Sequence, residues 1–223
     1  MELVGTESVS VELSARLDLA ATDAMALRVP APLVLERDGA GRASASVLAL
    51  EMSGLGLGRL PPRFDYKEVL YRLGVAVDGA PAWLALRCDI DRPLVRSFAR
   101  AIIRYPVCSA TLTIDEHADR TITLLAHTDR DHLSMTLALV EGQDAPEASP
   151  PRRTFVVDGP TLFEIPWGER PAPRRHHADV VAIDGASTDA VFGGSVTFEP
   201  RALVHHGRGH RCGAARRRGA AGA

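Results

Sequence analysis

The strongest constraint on the fold comes from residues 66–77, "YKEVLYRLGVAV", which separate into two faces with a period of two. One face carries Lys67 followed by apolar and aromatic side chains, and the other carries Tyr66, Glu68 and Arg72. Successive side chains of a β-strand point to opposite sides, so this pattern predicts a strand whose first face belongs to the core. The second face meets either water or a polar cavity.

The neighbouring sequence extends this strand into a hairpin and a mainly β fold. A turn at Asp78 and Gly79 leads to a second strand over 81–88, and residues 91–105 have helical periodicity with Asp91 as the predicted N-cap. The whole chain predicts roughly nine or ten strands and one main helix. We therefore expect an α+β, mainly β fold: a curled antiparallel sheet, closed or nearly closed into a barrel around a cavity.

The length of 223 residues suits a single domain, which we place at residues 1–203. Residues 204–223 lose apolar periodicity and are rich in Gly, Ala and Arg, so a disordered tail is expected there. The histidines of this segment have no fixed frame and are expected to bind no metal ion. The same is expected of His176 and His177, because adjacent side chains on a strand point in opposite directions.

Composition excludes several classes of function. A net charge of -2 argues against a nucleic-acid-binding protein. No window of about 18 uninterrupted apolar residues exists, which argues against a membrane span, and the N-terminus lacks the basic and apolar regions of a secretion signal. The three cysteines form no C-x-x-C pair, which fits a reducing compartment. We expect a cytoplasmic protein without nucleic-acid or membrane partners.

The scarcity of lysine among the basic residues limits the imine chemistry open to this chain. Lysine and arginine together number 26, and Lys67 is the single lysine among them. Imine chemistry needs a primary amine, so Lys67 and the N-terminus are its only sources in this chain.

Four segments occur in an order that resembles a known superfamily. They are "TDAMALRVPAPL" (22–33), "SGLG" (53–56), "YKE" (66–68) and "ARAIIRYP" (99–106). They resemble the acetoacetate decarboxylase superfamily, in which T-D-x-x-x-L-x-x-x-x-P-x-P-L, S-G-L-G, Y-x-E and a helix ending G-R-E-x-x-x-Y-P-K-K follow one another. The match covers residues 11 to about 115, and the remainder only in its strand-rich character.

The resemblance implies roles for four residues. Tyr66 and Glu68 match Y-x-E and are expected in the cavity as catalytic residues, with Glu68 a general acid or base if burial raises its pKa. Arg100 matches the arginine of G-R-E, and Tyr105 the tyrosine of Y-P; both are expected to bind substrate. The alternative for Glu68 is a solvated strand face, and for Arg100 a solvated helix stripe.

The departures from the family pattern bear on the chemistry. Val107 stands where the family places its Schiff-base lysine, and Cys108 where it places the neighbouring lysine; both are expected to line the substrate site. Cys108 is either a thiol near bound substrate or a small buried filler. Lys67 lies on the strand face opposite Glu68, so it is not expected to replace the missing amine. Imine-dependent decarboxylation is therefore not expected.

Two functions remain open. The first is an enzyme of secondary metabolism, a lyase, cyclase or isomerase without a Schiff base. It would act on a small carbonyl- or carboxylate-bearing, polyketide-like substrate by dehydration, cyclisation or isomerisation. The second is a non-catalytic small-molecule-binding protein on the same fold. Neither needs a cofactor or a metal, the expected partner is a small organic substrate, and assembly into a homo-oligomer stays open.

Overall fold

The computed structural model describes residues 2–58, 61–144, 152–169 and 174–218. The strands are β1 (Glu2–Leu17), β2 (Val34–Leu35), β3 (Ser44–Leu57), β4 (Phe64–Val77), β5 (Ala80–Ile90), β6 (Val107–Ser109), β7 (Thr111–Glu116), β8 (Thr121–His127), β9 (His132–Asp144), β10 (Arg153–Asp158), β11 (Thr161–Ile165), β12 (Trp167–Glu169), β13 (Arg174–Asp184), β14 (Val196–Gly213) and β15 (Arg216–Arg217). The helices are α1 (Leu19–Ala26), α2 (Pro93–Phe98) and α3 (Ala186–Phe192), and a π-helical turn (Ala99–Ile103) directly follows α2.

The predicted hairpin is confirmed, since β4 pairs with β5 in antiparallel register from Glu68 opposite Ile90 to Val77 opposite Ala80. Its core face is buried as predicted, with Tyr71 completely enclosed. The opposite face is buried as well, so β4 has packed side chains on both sides. This choice between water and an enclosed environment could not be made from the alternation alone.

The strands of the described residues form one 15-stranded sheet with the order β15-β11-β10-β5-β4-β3-β1-β14-β13-β9-β8-β7, while β12 pairs with β14, β2 with β4 and β6 with β5. The described pairings are antiparallel except those of β10 and β6 with β5. The mainly β class is confirmed; of the prediction of a closed or nearly closed barrel, full closure is wrong. Within the described residues the path ends at β15 and β7, which do not pair with each other. Local alternation identifies strands but carries no information on whether the two end strands meet.

The sheet separates two apolar clusters. The larger one includes Leu13, Val47 and Tyr71 and packs against α1 and α3, which supply Met25 and Phe192. The smaller one lies on the other side, where α2 and the residues after it cover the sheet. Its members include Leu50, Leu70, Ile90, Tyr105 and Val107. The smaller cluster surrounds the candidate site.

The predicted helix over 91–105 is shorter and less regular than expected. Asp91 is not its N-cap: the cap is Arg92, and the Asp91 carboxylate accepts a hydrogen bond from the backbone N–H of Lys67 at 3.0 Å. The π-helical turn ends at Arg104, whose φ of 64° is left-handed. The expectation of one main helix is also wrong, because α1 and α3 are of similar length in the described chain. No described helix has the length and apolar character needed to cross a membrane.

The expectation of a disordered tail is wrong for residues 204–213. Residues 204–213 belong to β14, which pairs with β1 on one side and with β13 on the other. Val204 is 0% exposed, Arg208 7% and Cys212 2%. The apolar periodicity is interrupted because two buried positions carry His205 and Arg208, and Arg208 pairs with Glu7 on the first strand of the chain. Residues 219–223 lie outside the described residues.

Candidate functional site

Glu68 is an enclosed carboxylate at the centre of the smaller apolar cluster. It is 4% exposed, and the register of β4 places it between Leu50 on β3 and Ile90 on β5. The Cys88 thiol donates to Glu68 Oε2 across 3.8 Å. The period-two alternation therefore turns Glu68 away from the larger core and into a second enclosed environment.

Two phenols accompany this carboxylate. Tyr66 is 7% exposed and Tyr105 3%. Burial, followed by the nearby charge of Glu68, raises the pKa of both tyrosines well above the ordinary value, and for Tyr66 hydrogen bonding to Glu68 adds to the effect. Both phenols therefore keep their protons over the physiological range and can donate hydrogen bonds.

Two cysteines complete the surroundings of Glu68. Cys88 and Cys212 are almost completely buried. Burial, followed by the charge of Glu68, raises the pKa of the Cys88 thiol well above its usual range and that of Cys212 to about 12. Both remain thiols, so neither is a ready nucleophile. All three cysteines of the chain are free.

Val107 and Arg100 occupy different environments. Val107 is buried at 7% exposure, in the same cluster as Tyr105, and β6 places it beside Cys88 in parallel register. Arg100 is exposed, and its Nη2 donates to the backbone oxygen of Val107 at 3.2 Å. The expectation that Arg100 reaches into the enclosed site is therefore corrected: it holds the backbone at the outer edge of the cluster.

Cys108 faces the other way, because it follows Val107 on the same strand. It lines an open cavity of about 1290 Å³, together with Arg28, Arg87, Arg96, Asp131 and Val191. Burial raises the pKa of its thiol. The expectation that Cys108 shares a site with Val107 and Glu68 is corrected, since strand alternation separates the two neighbours.

A dense ionic cluster that no sequence pattern predicted lies beside this cavity. Arg87 donates to both carboxylate oxygens of Asp89 at 2.7 and 3.0 Å, and to both of Asp131 at 2.6 and 2.7 Å. Asp89 is completely buried, and burial raises its pKa despite Arg87. Because Asp131 is 44 residues from Arg87, no local motif could indicate the cluster. The guanidinium therefore links Asp89 on β5 to Asp131, which directly precedes β9.

A second polar network lies on the same sheet face as Glu68. Arg72 Nη2 donates to Glu12 Oε1 at 2.6 Å and to Ser46 Oγ at 2.8 Å. Farther along β1, Arg208 donates to Glu7 Oε2 at 2.7 Å. The alternation of β4 indicated the polar direction of Arg72, but its partner on β1 could not be inferred. Among the described residues no group of three or more histidine, cysteine or acidic side chains is arranged to hold a metal ion.

Comparison with solved structures identifies the fold. An acetoacetate decarboxylase from Legionella pneumophila subsp. pneumophila str. Philadelphia 1 superimposes with a TM-score of 0.77 at 11% identity, over 98% of this chain and 88% of that chain. An acetoacetate decarboxylase-like enzyme from Sphingomonas wittichii RW1 gives 0.68 at 14% identity, over 97% and 92% of the two chains. The similarity in fold predicted from the four motifs is thereby confirmed.

A third similar structure carries information on ligands. The enduracididine biosynthesis enzyme MppR, solved with the condensation product of pyruvate and imidazole 4-carboxaldehyde, has a TM-score of 0.66 at 15% identity, over 97% of this chain and 88% of that chain. MppR has also been solved with pyruvate. No protein-family model matches the chain, and no curated protein matches it significantly by sequence. At these identities the comparison establishes the fold, and the activity requires a separate argument.

Proposed function

We propose that this chain is an enzyme acting on a small carbonyl- or carboxylate-bearing molecule by acid/base chemistry at Glu68. The observation that carries the proposal is the enclosure of one carboxylate, 4% exposed, next to two tyrosines whose phenols stay protonated. A base and hydrogen-bond donors are the groups needed to remove a proton next to a carbonyl. Dehydration, cyclisation and isomerisation of oxo compounds share this step.

The proposed proton transfer uses Glu68 as the base and a tyrosine as the hydrogen-bond donor. Glu68 takes the proton from the carbon next to the carbonyl group, and the electron pair of that C–H bond forms the enolate. A phenol, from Tyr66 or Tyr105, donates a hydrogen bond to the oxygen on which the negative charge develops. Glu68 then returns the proton to carbon or to a leaving group, which leaves the carboxylate unchanged over the cycle.

An imine mechanism is not part of the proposal. The motif resemblance puts Val107 at the position of the Schiff-base lysine, and a valine offers no amine. Lys67 points to the other side of β4 and its Nζ lies 3.3 Å from Glu51 Oε2. The MppR structures with pyruvate and with a pyruvate condensation product support oxo acids as the substrate class on this fold.

A non-catalytic binding protein is the second candidate. The apolar packing of Leu50, Leu70 and Ile90 around Glu68 favours it, since a site closed by such side chains admits only a small ligand. In that case Glu68 would orient a bound molecule without exchanging protons with it. The exchange of pyruvate methyl protons with deuterated solvent, measured with the wild type and with Glu68→Gln, distinguishes the enzyme from the binding protein. An enzyme promotes this exchange through Glu68, and a binding protein does not.

A further inference from the structure

The open cavity beside Cys108 takes no part in the chemistry proposed at Glu68. Its volume is about 1290 Å³, and its wall includes Leu86, Ala110 and Val191, which belong to the larger apolar cluster or pack against it. No described member of the smaller cluster, which surrounds Glu68, lines it. Pockets for drug-sized ligands usually measure about 300–1,000 Å³. The cavity is therefore a second candidate binding site, with room for a ligand larger than pyruvate.

Two arginines of the cavity wall are held by neutral groups only. Arg28 follows α1, and its Nη1 donates to the backbone oxygen of Val191 at 3.0 Å and lies 3.7 Å from Met25 Sδ. Arg96 on α2 donates from Nη1 to the backbone oxygen of Ile90 at 3.0 Å and to that of the following residue at 3.5 Å. Within the described ranges neither guanidinium has a carboxylate at ion-pair distance or an interaction through Nε or Nη2. Both groups are thus fixed at one nitrogen and present their other N–H donors to a ligand.

The other arginines and aspartates of the wall are paired with each other or with a neighbour. The pairs are Arg87 with Asp89 and Asp131, Arg130 with Asp129, and Arg92 with Asp91. Arg87 is shared by two carboxylates, which leaves one negative charge, whereas Arg28 and Arg96 carry two positive charges. The wall residues and their ion-pair partners thus comprise five arginines and four aspartates, with one positive charge in excess. This balance favours a ligand with one anionic group.

The wall also defines the rest of the ligand. Ala186, Ala190 and Val191 of α3 give the cavity an apolar side. Because Arg28 is bonded to the backbone of Val191, its guanidinium lies next to this apolar side. A guanidinium presents its N–H groups as a planar fork, which matches two oxygens of a carboxylate or a phosphate. A molecule with an oxyanionic end and an apolar body satisfies both parts of the wall.

We propose that this cavity binds an organic molecule that has an apolar body and one oxyanionic group, and that Arg28 and Arg96 bind the oxyanion. A carboxylate and a phosphate monoester share the required chemistry. The site is separate from Glu68, so the proposal does not depend on the proposed function. It gives a role to two arginines that neither the sheet nor the ionic cluster of Arg87 uses.

Cys108 allows this proposal to be tested in the unmodified protein. It is partly exposed in the cavity, whereas Cys88 and Cys212 are 0% and 2% exposed, so iodoacetamide should alkylate Cys108 first. Burial raises the pKa of its thiol, so the reaction is followed by peptide mass spectrometry at mildly alkaline pH. Octanoate or octyl phosphate should slow the alkylation at least about tenfold at saturation, because the bound molecule covers the thiol, and neutral octanol should not. The anion that protects at the lower concentration shows whether the site prefers a carboxylate or a phosphate.

Variants assign the protection to the two arginines. Arg28→Gln and Arg96→Gln should each raise the concentration for half-protection at least about tenfold, and the lysine variants, which keep the charge and lose the fork, should raise it less. Arg120→Gln is the matched control, since it removes one charge from an exposed pair with Glu141 outside the cavity. Glu68→Gln should also leave protection unchanged, which keeps failure of this site distinct from failure of catalysis at Glu68. No protection by either anion, equal protection by octanol, or wild-type protection in both glutamine variants would show that the proposal is wrong. Where a glutamine variant does not fold, the comparison of octanoate and octyl phosphate with octanol in the wild type decides.

Discussion

Arg208 donates from Nε to Oε2 of Glu7 at 2.7 Å, across 201 residues of sequence. The two residues lie opposite each other on β14 and β1, and the side chains are 9% and 0% exposed. The segment whose composition predicts a disordered, arginine-rich tail is thus a strand, and a buried ion pair connects it to the first strand of the chain. Its buried positions include Val204 and Cys212 as well as Arg208, and the pair of Arg208 with Glu7 is its buried ionic link to β1.

Arg208→Met should destabilise the fold by about 3–5 kcal/mol, because it leaves a buried carboxylate without its charge partner. Urea unfolding measures the loss. The double variant Glu7→Leu, Arg208→Met should recover most of it, since replacing both partners removes the uncompensated charge. Arg120→Met is the matched control: its pair with Glu141 is exposed, at 45% and 89%, so its loss should stay below about 1 kcal/mol. Equal losses for Arg208→Met and Arg120→Met would contradict the account.

Truncation after Leu203 should prevent stable folding. The deletion removes residues 204–213 of β14, and with them the hydrogen bonds to the N-terminal half of β1 and to the start of β13. Those backbone groups would be left unpaired, which is costly in a buried sheet. Circular dichroism of the truncated chain provides the measurement. An unchanged melting temperature would show that this segment is the dispensable tail its composition suggests.

His205 should make stability fall in mild acid. Burial, followed by the charge of Arg208, lowers its pKa from 6.5 to about 4, so between these pH values the unfolded chain binds a proton that the folded chain does not. Protonation then favours unfolding, and stability present at neutral pH is lost as the pH falls from 6.5 towards 4, on the order of 3 kcal/mol in all. Urea unfolding of the wild type and of His205→Gln across this range checks it. The variant should lose most of the slope, and parallel curves would contradict the assignment.

Lys67 should not form an imine. Its Nζ is paired with Glu51 on the face of β4 opposite Glu68, so a carbonyl group near Glu68 is out of its reach. Borohydride reduction in the presence of acetoacetate, followed by peptide mass spectrometry, should detect no adduct at residue 67. A reduced adduct there would overturn both the strand-face argument and the exclusion of imine chemistry.

Features that depend on neighbouring residues in the sequence could be predicted, and features that depend on residues far apart in the sequence could not. Glu68 was placed opposite the core face because strand alternation is local, and β4 obeys it. Arg100 was misplaced because its expected role came from the motif resemblance, whereas the alternative, a solvated helix stripe, agrees with its exposed position. The pairs of Arg72 with Glu12 and of Arg208 with Glu7 were missed because both glutamates lie on β1, and pairing at such separation leaves no local pattern.

The central claim is that Glu68 exchanges protons with a bound oxo acid. Its most direct test is the rate at which the methyl protons of pyruvate exchange with deuterium in heavy water, followed by proton magnetic resonance with wild type and Glu68→Gln. Levulinate serves as a second oxo acid. The variant retains the shape of the side chain and loses the base, so the account predicts enzyme-promoted exchange in the wild type and a decrease of about 100-fold or more in Glu68→Gln. Equal exchange with both proteins, or no exchange above the protein-free rate with either acid, would contradict the claim and favour the binding-protein alternative.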